Sequence, residues 1–151
     1  MDWRWIDWAH ITPDELYDAL KLRQDVFISE QNCIYPDMDD KDQHSLHLLA
    51  RNDTGTLTAC LRIVPPGVRY VEPSIGRLVV RPSARRRGLA REMMLEAIKK
   101  CAELYPRRTV RIQAQQYLEA FYKSLGFVTV TPPYDEDGIM HVEMTRAADA
   151  E

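Results

Sequence analysis

Residues 75–104 pass from an apolar strand through a short arginine-rich loop directly into an amphipathic helix. The strand stops before Pro82, and from Gly88 onward apolar residues recur at the spacing of one helix face. This junction constrains the fold, because it brings the first backbone N–H groups of a helix to the carboxyl end of a strand. Those N–H groups have no partner within the helix, and together with the positive end of the helix dipole they form a site for anions.

Five arginines surround the junction: Arg81, Arg85, Arg86, Arg87 and Arg91. Cations are unfavourable at a helix N-terminus unless an anion is bound there. Gly88 would let phosphate oxygens approach the backbone, and the small Ala90 would keep the next turn open. The junction therefore predicts a phosphate site. The alternative is a solvated basic loop that contacts nothing.

The composition limits what the anion can be. The 151 residues carry a net charge of -3, which argues against general nucleic-acid binding, since that requires a broad basic face. The patterns GxxxxGK[ST] and GxGxxG are both absent, which excludes a Walker-type phosphate loop and a dinucleotide-binding fingerprint. A DxDxDG calcium pattern is missing too, and no metal site is predicted.

The hydrophobic periodicity predicts one domain over residues 1–151, with the element order β-α-β-β-β-α-β-α-β-β. This order indicates an α/β fold of the α+β type, with a mixed, mostly antiparallel sheet and helices on both faces. Thr12 and Glu15 predict a capping box at the start of the first helix, and Gly126 a left-handed cap at the end of the third. The predicted strands cover residues 3–7, 46–50, 57–63, 74–80, 109–114, 127–131 and 138–144, and the predicted helices cover residues 13–29, 88–104 and 115–125.

The cysteines and the first residues indicate in which cellular compartment the protein is expected. Three cysteines at wide spacing predict buried, reduced thiols. The first residues lack the pattern of a signal peptide, and no apolar run approaches the ~20 residues that span a bilayer. We expect a soluble, cytoplasmic protein without a membrane partner. Exposed tryptophans at positions 3, 5 and 8 leave both a monomer and a homodimer open.

An acidic segment follows the first helix, with Asp37, Asp39, Asp40 and Asp42 inside six residues. One interpretation is a solvated acidic loop that binds nothing. The other is a surface that steers a cationic amine towards the active site. The sequence leaves both interpretations open.

Two motifs resemble the GNAT superfamily of N-acetyltransferases. RRRGLA at residues 85–90 matches that family's [QR]-x-x-G-x-[GA] signature, and AQQYLEAFYKSLGF at residues 114–127 resembles its helix ending in Y-x-x-x-G-F. The resemblance extends to the ElaA-like subgroup through residues 22–40, IGRLVV at 75–80 and YDEDGIMHVEM at 134–144. Together with the strand order it covers nearly the whole chain.

The resemblance implies acetyl-coenzyme A as co-substrate, with its pyrophosphate on the loop and helix start. Tyr122 matches the family's tyrosine and would donate a proton to the leaving thiolate, in preference to the alternative of a packed aromatic residue. The Val80 N–H would stabilise the oxyanion, and Gln115 would bind the pantetheine arm. The implied cofactor-binding residues are Leu78, Val79, Val80, Arg85, Arg86, Arg87, Gly88, Leu89, Ala90, Arg91 and Gln115.

The residue that deprotonates the acceptor stays open, with four side chains or a water as candidates: Glu72, Asp42, His47 and Glu119. We expect an N-acetyltransferase that transfers the acetyl group directly to a primary amine, since neither motif contains a cysteine that could carry it. The acceptor would be a small cationic metabolite, a lysine or a protein N-terminus. The alternative is a GNAT-fold module that binds acyl-coenzyme A without turnover.

Overall fold

A computed structural model describes residues 1–149 of the chain. Its helices are α1 (Pro13–Arg23), α2 (Leu89–Leu104) and α3 (Glu119–Lys123). Its strands are β1 (Asp2–Asp7), β2 (Leu46–Arg51), β3 (Leu57–Val64), β4 (Ser74–Val80), β5 (Val110–Gln115), β6 (Val128–Thr129), β7 (Tyr134–Glu136) and β8 (Ile139–Arg146).

All eight strands join one sheet in the order β1-β2-β3-β4-β5-β8-β6, with β7 paired to β8. The pairing of β4 with β5 is parallel, and the other pairings are antiparallel. The mixed, mostly antiparallel sheet predicted from the sequence is therefore confirmed.

Apolar residues cover both faces of this sheet. On β2, Leu48 and Ala50 belong to a core that α2 covers with Met93 and Ala97. Leu49 points to the other face, where α1 completes a second and smaller core. Because successive residues of a strand face opposite sides, a nearly continuous apolar strand such as β3 requires helices on both faces.

The helices differ in detail from their predicted lengths. The capping box forms as predicted, with Thr12 and Glu15 exchanging hydrogen bonds. The first helix ends at Arg23 and continues as a wider π-helical segment over Gln24–Glu30. The third predicted helix starts later than expected, because Gln115 still pairs with His141 across the sheet and a 3-10 turn, Gln116–Leu118, precedes α3.

Strand β7 was missed in the sequence. It forms a hairpin with β8 through the turn at Asp137 and Gly138, both of which have positive φ. The tryptophan prediction was wrong at two positions. Trp3 and Trp5 pack against the main core, where the Lys100 ammonium lies 5.6 Å from the Trp5 ring, and Trp8 is exposed.

The structure contradicts one of the two interpretations of the acidic segment, that of a solvated loop. Asp37 and Asp42 are buried, and Asp39 is mostly buried. The Arg23 guanidinium donates to Asp37 and to Asp42 at 2.9 and 2.8 Å. Arg62, which is 1% exposed, donates to Asp39 and Asp42 at 2.6 and 3.0 Å. These carboxylates neutralise buried arginines rather than facing solvent, and only Asp40 stays exposed.

A third arginine, Arg77, completes this buried ion cluster. Its Nε lies 2.9 Å from a carboxylate oxygen of Asp37, and its guanidinium carbon lies 5.6 Å from the centre of the Tyr35 ring. Burial alone would raise the pKa of Asp42, but the hydrogen bonds from Arg23 and Arg62 outweigh it and hold that pKa below its usual range. The cluster ties residues 35–42 to β3 and β4.

We predict that Arg62→Met lowers the free energy of unfolding by about 3 kcal/mol, because it leaves two buried carboxylates short of a partner. Arg4→Met is the matched control. Arg4 is exposed and lies 3.4 Å from Glu15, so its loss is expected to cost less than about 1 kcal/mol. Urea unfolding of both variants measures the difference. Equal midpoints for the two would contradict the structural role of the cluster.

Candidate active site

A cleft of about 1050 Å³ opens where β4 and β5 separate. The two strands share one bridge, between Ser74 and Arg111, and then diverge. The rest of β4 has a partner only on the side of β3. The cleft therefore exposes one edge of β4 within the sheet, between the start of α2 and the helix α3.

The backbone of β4 offers unpaired groups to this cleft. Arg81 donates its N–H to Thr58 at 2.7 Å, so the N–H of Val79, two residues earlier, also points towards β3. The N–H groups of Leu78 and Val80 then point the other way, into the gap. The Val80 carbonyl lies on the same side, where Arg85 Nε donates to it at 3.0 Å. This geometry suits an extended ligand that pairs with β4 like another strand.

The start of α2 lies at the same cleft and carries no capping side chain. The first backbone N–H of the helix to reach a carbonyl is that of Glu92, which donates to Gly88. Arg86 and Gly88 have φ of 65° and 76°, the left-handed conformation that occurs where neighbouring backbone N–H groups form anion-binding concavities. Gly88, Leu89 and Ala90 line the cleft, so an anion bound there meets free N–H groups and the helix dipole.

The predicted arginines divide between the two sides of the loop. Arg85, Arg86 and Arg91 line the cleft, with Arg85 paired to Glu30 at 2.7 Å. Arg91 also donates to Ser124, which links the start of α2 to the end of α3. The Arg87 side chain lines a separate, small hollow near the amino terminus instead. Leu78, Val79 and Val80 line the cleft as well.

Tyr122 lies on α3 and lines the same cleft. Phe121 and Phe127 contact its ring edge-on, with centroids 5.0 and 6.1 Å away. Burial raises the pKa of Tyr122 to about 12, so the phenol keeps its proton at neutral pH. Gly126, with φ of 93°, ends the helix as predicted, and Phe127 N–H donates to the Tyr122 carbonyl.

Gln115 lies at the end of β5 and faces the cleft. Its amide Nε2 donates to Oε1 of Gln31 at 3.1 Å, which bridges the cleft between the π-helical segment and the sheet. Nearby, the thiol of Cys33 donates to the Asp137 carbonyl at 3.1 Å. These two contacts hold residues 31–33 against β5 and the β7–β8 turn.

The four side chains considered as bases lie away from the cleft lining. Asp42 belongs to the buried ion cluster. His47 is buried beside the Asp42 carbonyl, and burial lowers its pKa. Glu72 pairs with Arg111 at 3.7 Å. Glu119, the first residue of α3, accepts a hydrogen bond from Thr129.

Sequence reasoning missed His141, which the structure places in the cleft wall. The signal was present in β8, where Met140, Val142 and Met144 alternate with His141 and Glu143. Val142 and Met144 are buried, which turns the alternate residues towards the cleft.

Within residues 1–149, no helix has the length and apolar character needed to cross a bilayer. Within the same range, no three His, Cys, Asp or Glu side chains come together as a metal-binding group.

A family model described as acetyltransferase (GNAT) domain matches residues 12–148. The UPF0039 protein sll0451 from Synechocystis is 38% identical over 144 residues, which cover 95% of this chain and 94% of that protein. The crystal structure of an acyl-CoA N-acyltransferase from Pseudomonas aeruginosa has a TM-score of 0.91 at 39% identity, covering 97% of this chain and all of that one.

Protein ElaA from Escherichia coli is 34% identical over 149 residues, covering 97% of this chain and 96% of ElaA. The crystal structure of E. coli ElaA has a TM-score of 0.90 and covers 96% of this chain and 98% of that one. The fold and the resemblance predicted from the sequence are confirmed. The chain belongs to the GNAT acetyltransferase family, groups there with the ElaA-like proteins, and has the fold of an acyl-CoA-dependent acyltransferase.

Proposed function

We propose that this protein is an N-acetyltransferase that uses acetyl-coenzyme A and transfers the acetyl group to a primary amine. The observation that carries the proposal is the meeting, in one cleft, of an open strand edge, an uncapped helix start and a protonated phenol. Each of these suits a different part of the thioester: pantetheine, pyrophosphate and leaving sulfur.

The backbone would bind most of the co-substrate. The open edge of β4 would pair with the amide groups of the pantetheine arm, and the start of α2 would hold the pyrophosphate. Arg86 and Arg91 would add charge around the phosphates without needing a fixed geometry. Gln115 would exchange its bond with Gln31 for a bond to the pantetheine arm.

Two groups would act on the reacting atoms. The Val80 N–H would donate to the carbonyl oxygen of the thioester as negative charge develops there. The Tyr122 hydroxyl would give its proton to the leaving thiolate. No cysteine lines this part of the cleft apart from Cys33, whose thiol is bonded to the Asp137 carbonyl, so direct transfer is favoured over an acetyl-cysteine intermediate.

A binding module without turnover is the second candidate. Such a module would need the phosphate site at the start of α2 and the open edge of β4, but no proton donor near the sulfur. The position of Tyr122 in the cleft favours the enzyme.

Release of free thiol from acetyl-coenzyme A, measured against a panel of primary amines, tests the proposal. The panel contains spermidine, glucosamine, an aminoglycoside and a lysine peptide, and mass spectrometry identifies the acetylated product. Acetylation of at least one amine is expected. Tight binding of acetyl-coenzyme A with no acetylation of any amine would favour the binding module instead.

We predict that Gly88→Ala weakens binding of acetyl-coenzyme A by about tenfold or more. A side chain at φ of 76° is strained by about 1 kcal/mol, and relief of that strain would turn the loop N–H groups away from the phosphates.

Gly55→Ala is the matched control, because Gly55 has φ of 81° in the β2–β3 turn, outside the cleft lining. Both substitutions meet open space, so similar losses of melting temperature are expected. Calorimetric titration should give a weaker affinity for Gly88→Ala than for Gly55→Ala. Equal affinities for acetyl-coenzyme A would contradict phosphate binding by the loop and the start of α2.

We predict that Tyr122→Phe lowers kcat by about 100-fold and leaves the KM for acetyl-coenzyme A nearly unchanged, because the ring still packs and only the proton is lost. Tyr105→Phe is the control, since Tyr105 is a half-buried phenol at the far end of α2. Steady-state thiol release measures both variants. A Tyr122→Phe enzyme with the wild-type kcat would remove Tyr122 from the mechanism.

A further inference from the structure

We propose that His141 is the general base that takes the proton from the acceptor amine. This inference rests on the proposed function and assigns the one role that the sequence left open. The side chain lines the cleft, and among the described residues its ring has a single hydrogen bond. The chemical class of its substrate is a primary ammonium group, which must lose a proton before it can attack a thioester.

The hydrogen bond fixes which nitrogen is basic. Nδ1 of His141 lies 2.8 Å from the Ile139 carbonyl oxygen, which can only accept. The proton of the neutral ring is therefore on Nδ1, and the lone pair is on Nε2. No residue within 1–149 hydrogen-bonds to Nε2, so that lone pair is available to a substrate.

The sheet places the ring beside the co-substrate site. His141 on β8 is directly opposite Gln115 on β5, and directly opposed residues of antiparallel strands point to the same face. Tyr134 flanks the imidazole from β7, with ring centroids 6.3 Å apart and an angle of 27° between the planes. The ring is thus flanked by Tyr134 and half-buried.

Other titratable and charged groups share this face or line the same cleft, and they enter any pH dependence. Those on the elements around His141 include Tyr134 and Glu136 on β7, Asp137 in the turn, Glu143 on β8 and Arg111 on β5, and those lining the cleft include Arg69 and Tyr122. Glu136 accepts a hydrogen bond from Gln113, whose Oε1 accepts a bond from Arg69 at 2.7 Å. Glu143 accepts from Arg111 at 2.7 Å. Imidazole is the side chain whose ordinary ionisation suits proton transfer at neutral pH.

His141, Tyr122 and solvent account for every proton that moves in the reaction. The Nε2 lone pair takes one proton from the ammonium group, and the neutral amine attacks the thioester carbonyl carbon. A C–N bond forms and the C–S bond breaks, while the Tyr122 hydroxyl protonates the departing thiolate. The nitrogen loses its second proton, which restores the Tyr122 hydroxyl, and the proton on His141 passes to solvent.

The tautomer is measurable without any acceptor. Two-bond ¹H–¹⁵N correlations distinguish an imidazole protonated on Nδ1 from one protonated on Nε2, and the spectrum of a His141→Asn variant assigns the signals among the four histidines. The Nδ1–H form is expected for His141 in the neutral ring. A neutral ring protonated on Nε2 would overturn the proposal.

His141→Asn tests the catalytic role. The asparagine amide can replace Nδ1 as donor to the Ile139 carbonyl, but it has no group in the place of Nε2. We expect a fall in kcat of about 100-fold or more, using the panel amine with the highest wild-type rate. The deficit should narrow as the pH rises from about 7 to about 9, because more amine is then deprotonated in solution.

His44→Asn, at an exposed position outside the cleft, should behave as the wild type. The rise in melting temperature with acetyl-coenzyme A should be the same in the wild type, His141→Asn and His44→Asn. A lower kcat with an unchanged rise then shows loss of the base rather than loss of co-substrate binding. A His141→Asn enzyme with the wild-type kcat would overturn the proposal. A wild type that acetylates no amine would contradict the proposed function. The tautomer measurement would still test whether Nε2 of His141 carries the free lone pair.

Discussion

Strands β4 and β5 are parallel neighbours that share a single bridge at Ser74 and Arg111. The proposed function depends on their separation after that point. A continuous sheet would bury the N–H groups of Leu78 and Val80 in a ladder, and an unpaired group there is costly unless water or a ligand satisfies it. The gap turns an interior strand into an edge, and α2 begins at the same end. Strand edge and helix start thus line one cleft.

The buried ion cluster holds the wall of this gap in place. Arg77 lies in a β-bulge of β4 with φ of 53°, a conformation that costs a residue other than glycine about 1–2 kcal/mol. Its contacts with Asp37 and Asp39 offset that cost and fix the bulge against residues 35–42. The acidic segment therefore contributes to the shape of the cleft, and its charges are already balanced by arginines from α1, β3 and β4.

The parts that local rules determine were predicted well from the sequence. The capping box at Thr12, the left-handed Gly126 and the strand-loop-helix junction at Gly88 each depend on a few neighbouring residues. The misreadings concern partners far apart in the chain. Arg62 and Asp39 are 23 positions apart, so nothing local shows that the acids are paired. His141 was overlooked for a similar reason, because its role depends on Gln115 and Tyr134 on two other strands.

We propose that backbone N–H groups of β4 and of the α2 start bind the co-substrate. Amide hydrogen exchange, followed by NMR with and without acetyl-coenzyme A, measures whether they do. We expect slower exchange at Leu78 and Val80 and at residues 86–91, while the turn at residues 52–56 exchanges as before. Protection confined to amides elsewhere in the chain, with the amides of Leu78, Val80 and residues 86–91 unchanged, would contradict binding by these N–H groups.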